Sequence, residues 1–455
     1  MKIINKLFFL TALICGIQAN QIKIEKTQTD NSRLNIQEST LDNGLKIIVL
    51  NMKTNGVIFG GVGYLVGSGD DPRNVVGISH VLEHMMFKGT KNLSGEDLKK
   101  IIFVCNKYSN AFTSHDITFY VHMSDKPSLD TDLKIEADRM QNLQINDADL
   151  KKEKEVIIEE RKMRTESNPI TNYMEEAAWK SMYLFSNYSY PVIGYMDQIK
   201  ACDQMEVRKH YNKFYKPNNA FVLLVGDINI KEATQKVQKY FGKIKKGSVI
   251  ERERVIDPDN TGLTHTMDHE SDQISVHNLN LIYKIDRKLF NDTKKLVTLE
   301  IAAGILSSGD SSVLHQNIVD KKELSYDVDS MLDIRAFDKG RLNIATVFRE
   351  NQNDKNVESE MISIINDYAD KYLTKELFEK EKEKSLDQLE MLGDNPQNMG
   401  MFILTYIVNG YKLDEVKDIK NIIKGIKFED VKSLSKQLFT KKNRIMRIYS
   451  HPKEN

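Results

Sequence analysis

Along the chain, apolar positions repeat with two periods, and the period changes at glycine, proline and asparagine. "LDNGLKIIVLNM" (41–52) and "GVIFGGVGYLVGSG" (56–69) have the composition of strands, with Asn43-Gly44 and Thr54-Asn55-Gly56 as turns between them. The segment 76–87 switches to a helical pattern. "SGEDLKKII" from Ser94 opens another helix, with Asp97 at capping-box spacing. "AFTSHDITFYVHMS" (111–124) returns to strand composition. A long charged helix follows from Asn146 to Glu166 with a stop at Asn168-Pro169, and "NAFVLLVGDI" (219–228) is a buried strand.

Residues 246–262, "KGSVIERERVIDPDNTG", are polar and aperiodic, and they read as a linker. Beyond them the order repeats coarsely. Strands are expected at "ISVHNLNLIY" and "RLNIATVF", and helices at Lys295–Ser307, Ser311–Asp320 and Glu358–Leu392. The pattern predicts an α+β protein of two similar α/β domains, 36–245 and 263–452. A length of 455 residues fits two cores better than one.

The first 19 residues add a second kind of pattern. Lys2 and Lys6 precede an apolar run from Leu7 to Ile17, and Ala19 ends it, which is the layout of a secretory signal peptide cut near Ala19. The alternatives are an uncleaved leader and a lipoprotein anchored at Cys15, where Ile14 stands in place of the usual small residue. Composition narrows the partners. Lysine plus arginine and aspartate plus glutamate number 65 each with no long block of one sign, so neither nucleic acid nor an anionic membrane is indicated. Past the leader only Cys105 and Cys202 remain, too few and too far apart for a disulfide framework or a thiolate metal site.

The candidate chemistry lies in "ISHVLEHMMFKGT" (78–90). On a helix His80 and His84 share a face and can point at one ion, with Glu83 beside them as a base. This is the inverse of the His-Glu-x-x-His zinc motif. A catalytic zinc takes three protein ligands, and the helix "LKKEKEVIIEERKM" offers the third. Glu153, Val156, Ile157 and Glu160 fall on one stripe expected to face inward, with Glu155 and Glu159 in solvent. A buried carboxylate needs a partner, so Glu160 is expected as the ligand and Glu153 as its hydrogen-bonded support. The competing expectation is a core helix whose histidines are satisfied by backbone or by Glu83. His265 and His269 have the same spacing in a strand-like segment, where residues four apart lie about 13 Å apart, too far for one ion.

With those residues in hand, the sequence resembles the pitrilysin and insulinase family of inverted zinc peptidases, in the half-length branch that includes the mitochondrial processing peptidase β subunit. "GSGDDPRNVVGISHVLEHMMFKGT" (67–90) resembles the family's zinc signature, and the spacing to Glu160 and Glu153 agrees with its third ligand and supporting acid. "NAFTSHDITFY" (110–120) resembles the strand that pairs with bound peptide, which implies Asn110, Ala111, Phe112 and Thr113 as substrate-binding residues. A plain sheet edge is the alternative. "YKPNNAFVLLVGDI" (215–228) resembles the end of the first domain and "LSSGDSSVLHQNIVDKKELSYDV" (306–328) a signature in the second. That second signature departs from the family at Val313, Val319 and Glu323. Tyr326, which by resemblance grips substrate, is present, and Val319 stands where its arginine partner is expected.

The resemblance implies half of a clamshell, one zinc per chain, peptide or unfolded polypeptide substrates, and a second half supplied by a homodimer or a related subunit. The expected chemistry is peptide-bond hydrolysis in the periplasm of a bacterium. Glu83 would deprotonate the attacking water and return the proton to the leaving amine. Two other readings stand beside it: the catalytic half of a heterodimer, and a non-catalytic binding or assembly subunit.

Overall fold

A computed structural model describes residues 33–166, 176–252, 254–259, 264–272 and 274–453. The expected signal peptide, Asn168-Pro169 and part of the expected linker lie outside the described residues. The first half builds a six-stranded sheet from β1 (Ile36–Thr40), β2 (Lys46–Asn51), β3 (Val57–Tyr64), β4 (Asn106–Thr113), β5 (Thr118–Asp125) and β6 (Ala220–Gly226), in the order β1-β2-β6-β3-β5-β4. Strands β3 and β6 are buried along their whole length, which explains their continuous apolar runs without alternation. The stretch 111–124 is a hairpin turning at 114–117, and it leaves β4 on the sheet edge.

Helices α1 (Ile78–Met85), α2 (Gly95–Cys105), α3 (Leu129–Asn142), α4 (Asp147–Glu166), α5 (Gln204–Phe214) and α6 (Ile230–Phe241) belong to this half. Ser94 caps α2 as expected: its Oγ accepts from Asp97 N at 3.1 Å and donates to the Asp97 carboxylate at 2.7 Å.

The second half builds a five-stranded sheet from β7 (His265–Ser271), β8 (His277–Ile285), β9 (Ser325–Asp333), β10 (Gly340–Phe348) and β11 (Arg444–Pro452), ordered β7-β11-β8-β10-β9. Its main helices are α7 (Thr293–Ser307), α8 (Asp354–Asp367), α9 (Lys375–Leu392), α10 (Pro396–Val408) and α11 (Phe428–Leu438). Two expectations need correction. Glu358–Leu392 is two helices: a π-helical segment at Tyr368–Tyr372 continues α8, the chain turns extended at Leu373, and Thr374 starts α9 afresh, its side chain accepting from Leu377 N. The helix expected at Ser311–Asp320 is a π-helical segment at His315–Lys321.

The first half keeps a core of its own, with Val62, Leu82, Ile157 and Val222 among its buried residues, and it shares a second one with the other half. Ile48, Leu50, Phe59, Phe119, Phe221 and Leu223 on one face of the first sheet join the apolar cluster of the second half. Helix α10 covers that face, and Gly400 permits the approach: a Cβ there would stand 2.2 Å from the Phe59 ring. A smaller cluster ties Trp179, Met182, Tyr183 and Tyr188 to Ile282, Ile445, Met446 and Ile448 of the second sheet. Trp179 also stacks against Arg341 at 3.7 Å and Arg335 at 4.5 Å. Among its described residues the polar segment after α6 carries no helix or strand, yet it is docked. Asp257 is buried, accepts from the backbone of Leu184 (2.7 Å), Phe185 (3.2 Å) and Ser186 (3.0 Å), and donates its own N–H to Asp338 at 3.0 Å. The segment's arginines are paired as well, Arg252 and Arg254 with Asp70, and Arg254 also with Asp116.

Candidate metal centre

Helix α1 is buried at every position except His84, which is half-buried. A helix this short needs help at its start. Gly77 caps it with φ +96°, and a Cβ there would stand 2.7 Å from Gly194 Cα, so both the conformation and the contact require glycine. The Asp71 carboxylate accepts from Gly77 N (2.7 Å), Ser79 N (3.2 Å) and Ser79 Oγ (2.6 Å), filling the donors that a helix leaves open at its N-terminus. Burial pushes the Asp71 carboxyl up to about 7 against the pull of those hydrogen bonds.

From α1 the two imidazoles meet the acids of α4. His80 Nε2 lies 3.7 Å and His84 Nε2 3.5 Å from Glu160 Oε2. Among the described residues these three form the one group able to hold a metal, with ligand atoms within 4.8 Å of one another. A tetrahedral ion bonded at 2.0–2.1 Å needs its donors about 3.4 Å apart, so the spacing fits with small closure. The charge states of His80 and Glu160 fit too. Burial pulls the His80 imidazole down to about 3, which keeps it neutral and able to ligate. Burial raises the Glu160 carboxyl, but His84, His80 and Arg164 outweigh it and hold Glu160 at about 2, ionised. Burial lowers His84 while Glu153 and Glu160 raise it further, to about 9.

Glu153 Oε2 lies 3.2 Å from His84 Nδ1, and Lys88, one turn beyond His84, pairs with the other Glu153 oxygen. The contact to Nδ1 fixes the ring so that Nε2 faces Glu160. Glu83 takes a 2.6 Å hydrogen bond from Thr113 Oγ1, both groups buried. Burial raises the Glu83 carboxyl, opposed chiefly by Thr113. A buried carboxyl with raised proton affinity, beside a trio of donors, suits proton transfer.

The inward stripe of α4 differs from the expected one. Leu150, Glu153, Ile157, Ile158 and Arg161 are buried and Glu160 is half-buried, while Val156 is 51% exposed. At about 100° per residue Val156 falls roughly 40° beyond Glu160, and the buried arc turns the other way, toward Ile158 and Arg161. Glu155 and Glu159 are exposed as expected. The buried Arg161, missed by pattern reading, donates to Gly194 O at 2.7 Å and so supports the glycine that packs on Gly77.

The structure brings His80, Glu83, His84, Glu153, Glu160 and Thr113 together. Asn110, Ala111 and Phe112 follow back along edge strand β4. Tyr326 is not part of that group: it lies on β9, the edge of the other sheet, 55% exposed, with the Arg349 guanidinium 4.8 Å from its ring. Val319 is partly buried against the core. His265 and His269 lie along β7, and Cys105 and Cys202 are free thiols. Sequence reading missed Asp71, Lys88 and the Thr113 bond to Glu83. Only Lys88 carried a signal, as the next step in the series His80, His84.

Comparison with known proteins gives the family and the fold. The family model described as "Insulinase (Peptidase family M16)" matches residues 60–194, and "Peptidase M16 inactive domain" matches 202–385. The zinc protease PqqE of Helicobacter pylori is 32% identical over 289 residues, 63% of this chain and 64% of that protein. A crystal structure of a protease from Helicobacter pylori superposes with TM-score 0.84 at 25% identity, covering 92% of this chain and all of that one. The periplasmic protease PqqL of Escherichia coli shares the fold at TM-score 0.77 and 18% identity, with 96% of this chain matched to 48% of that chain. The chain belongs to the M16 peptidase family, the group of insulinase and pitrilysin.

Proposed function

We propose that this protein is a zinc-dependent endopeptidase that hydrolyses peptides or small unfolded polypeptides, and that it works after export in the bacterial periplasm. The observation that carries the reading is the single hydrogen bond from Thr113 to Glu83, which joins the base beside the donor trio to the edge strand that would hold substrate. His80, His84 and Glu160 would hold the metal, and Glu153 would orient His84. When bound, zinc supplies Lewis acidity to the scissile carbonyl and acidifies water. Glu83 takes a proton from the attacking water and delivers it to the departing nitrogen, so that the peptide and one water become a carboxylic acid and an amine, which exchange a proton to end as carboxylate and ammonium. Strand β4 offers its free backbone edge to an extended peptide, which gives affinity with little demand on sequence, while Phe112 and its neighbours shape selectivity.

The match of this chain to one half of a double-length relative supports a closed chamber made with a second half, either another copy or a related subunit. Tyr326 would face substrate there. Arg349 gives it a cation that Val319 cannot supply, which favours a chain that acts with copies of itself. The deciding experiment combines zinc analysis with a quenched-peptide assay of wild type and Glu83→Gln. One zinc per chain in both proteins, with a rate at least about 1,000-fold lower in the variant, is expected. No bound zinc, or equal rates, overturns the reading.

A further inference from the structure

The segment between the two halves reaches the two loops that lead to the base. Arg254 donates through Nη2 to Asp70 Oδ2 (2.7 Å), through Nε to Asp70 Oδ1 (3.2 Å), and through Nη1 to Asp116 and to Tyr188 Oη (3.1 Å). Tyr188 Oη itself donates to Asp116 at 2.6 Å, and Arg252 adds a 3.1 Å bond to Asp70. Both carboxylates are nearly shut off from solvent, so one guanidinium fork satisfies two buried charges at once.

Each carboxylate is the end of a short path to the candidate centre. Asp70 precedes Asp71, which holds the first turn of α1. Asp116 sits in the turn of the β4–β5 hairpin, three residues after Thr113, whose hydroxyl binds Glu83. The two paths are tied across their middles, since Ser68 N donates to Ser114 O at 3.0 Å and Gly69 N to His115 O at 2.8 Å. On its other face the Arg254 guanidinium lies 4.0 Å over the ring of Phe337, at the tip of the β9–β10 hairpin in the second sheet. The next residues are fixed as well: Asp338 accepts from Asp257 N, and Lys339 Nζ donates to Asp257 O at 2.6 Å.

We propose that Arg254 is a positioning residue for Glu83, which locks the start of the metal-binding helix to the Thr113 hairpin and makes their fit depend on Phe337 of the second sheet. The inference rests on the peptidase reading for its catalytic consequence, and the mechanical part stands apart from it. Removing the ring or the guanidinium loosens Thr113 and the 67–79 loop together, and Glu83 loses its aim while the metal donors on α1 and α4 stay in place.

The test uses the full chain with Arg254→Gln and Phe337→Ala, the second removing only a half-exposed ring in case the first does not fold. Hydrogen–deuterium exchange on wild type and variants is expected to speed up at least about threefold in 67–79 and 110–118 while β6 stays protected. Peptide assays are expected to show kcat down about tenfold, with KM within about twofold and zinc content unchanged. Combining Phe337→Ala with Thr113→Val is expected to lower kcat no further than Thr113→Val alone, because both act through one bond. Exchange that changes only near 250–260, or that rises equally in β6, overturns the proposal. Losses that multiply in the double variant do the same. A wild type without peptidase activity defeats the functional reading alone, and the exchange measurement still decides this one.

Discussion

Glu153 touches no metal donor position itself, yet its substitution is expected to weaken zinc binding by a definite amount. Its Oε2 sits 3.2 Å from His84 Nδ1 and its Oε1 pairs with Lys88, so the carboxylate is held between a ligand ring and a cation. Burial raises its proton affinity, but His84 and Lys88 outweigh that and keep it ionised. Glu153→Gln preserves the shape and an acceptor for Nδ1–H but removes the charge, and it turns the amide group toward Lys88. The ring then keeps its orientation and loses basicity. A partner of this kind is worth 10–100-fold in metal affinity, about 1.4–2.7 kcal/mol. Competition with a chelating zinc indicator measures it, with Glu159→Gln on the exposed face of the same helix as control. Zinc affinity within twofold of wild type in Glu153→Gln would refute the argument that this side chain tunes His84.

Two further outcomes follow from the packing around the site and beneath α10. Gly77→Ala forces φ +96° on a residue with a Cβ and drives that atom to 2.7 Å from Gly194 Cα, so a loss of about 2–4 kcal/mol in urea unfolding is expected, and a change under about 0.5 kcal/mol would contradict the close approach. Glu300 has a buried Oε2 without a partner, and burial pushes its carboxyl up to about 8 from 4.5. The folded chain therefore keeps a proton that the unfolded chain releases. Stability from this group is whole below about pH 4.5 and falls as pH rises toward 8, by on the order of 3 kcal/mol at pH 7. Glu300→Gln should flatten that slope in urea unfolding at pH 5 and pH 8, and an unchanged slope would show that Glu300 is ionised in the fold.

Much of the candidate centre was legible in sequence because helix periodicity is local. A step of four residues puts His80 and His84 on one face whatever surrounds them, and a step of seven on α4 puts Glu153 and Glu160 together. Glycine and proline punctuation likewise marked β2, β3 and β6 before any contact was known. The reading failed where the burying partner decides. Periodicity gives the spacing of a stripe but not which way the helix is rolled, and α4 is rolled toward Ile158 and Arg161, which leaves Val156 in solvent.

The charged residues of the linker show the same dependence on the burying partner. Charge in a sequence carries no record of what meets it: Asp70 and Asp116, which pair with Arg252 and Arg254, and Asp338, which accepts from the Asp257 backbone, lie far off along the chain. The sequence by itself determined the donor types, their helical spacing and the family. Only the tertiary structure decided that Thr113 meets Glu83, that one face of the first sheet packs into the core of the second half, and that Arg254 spans the gap between them, because those facts depend on contacts that chain order does not encode.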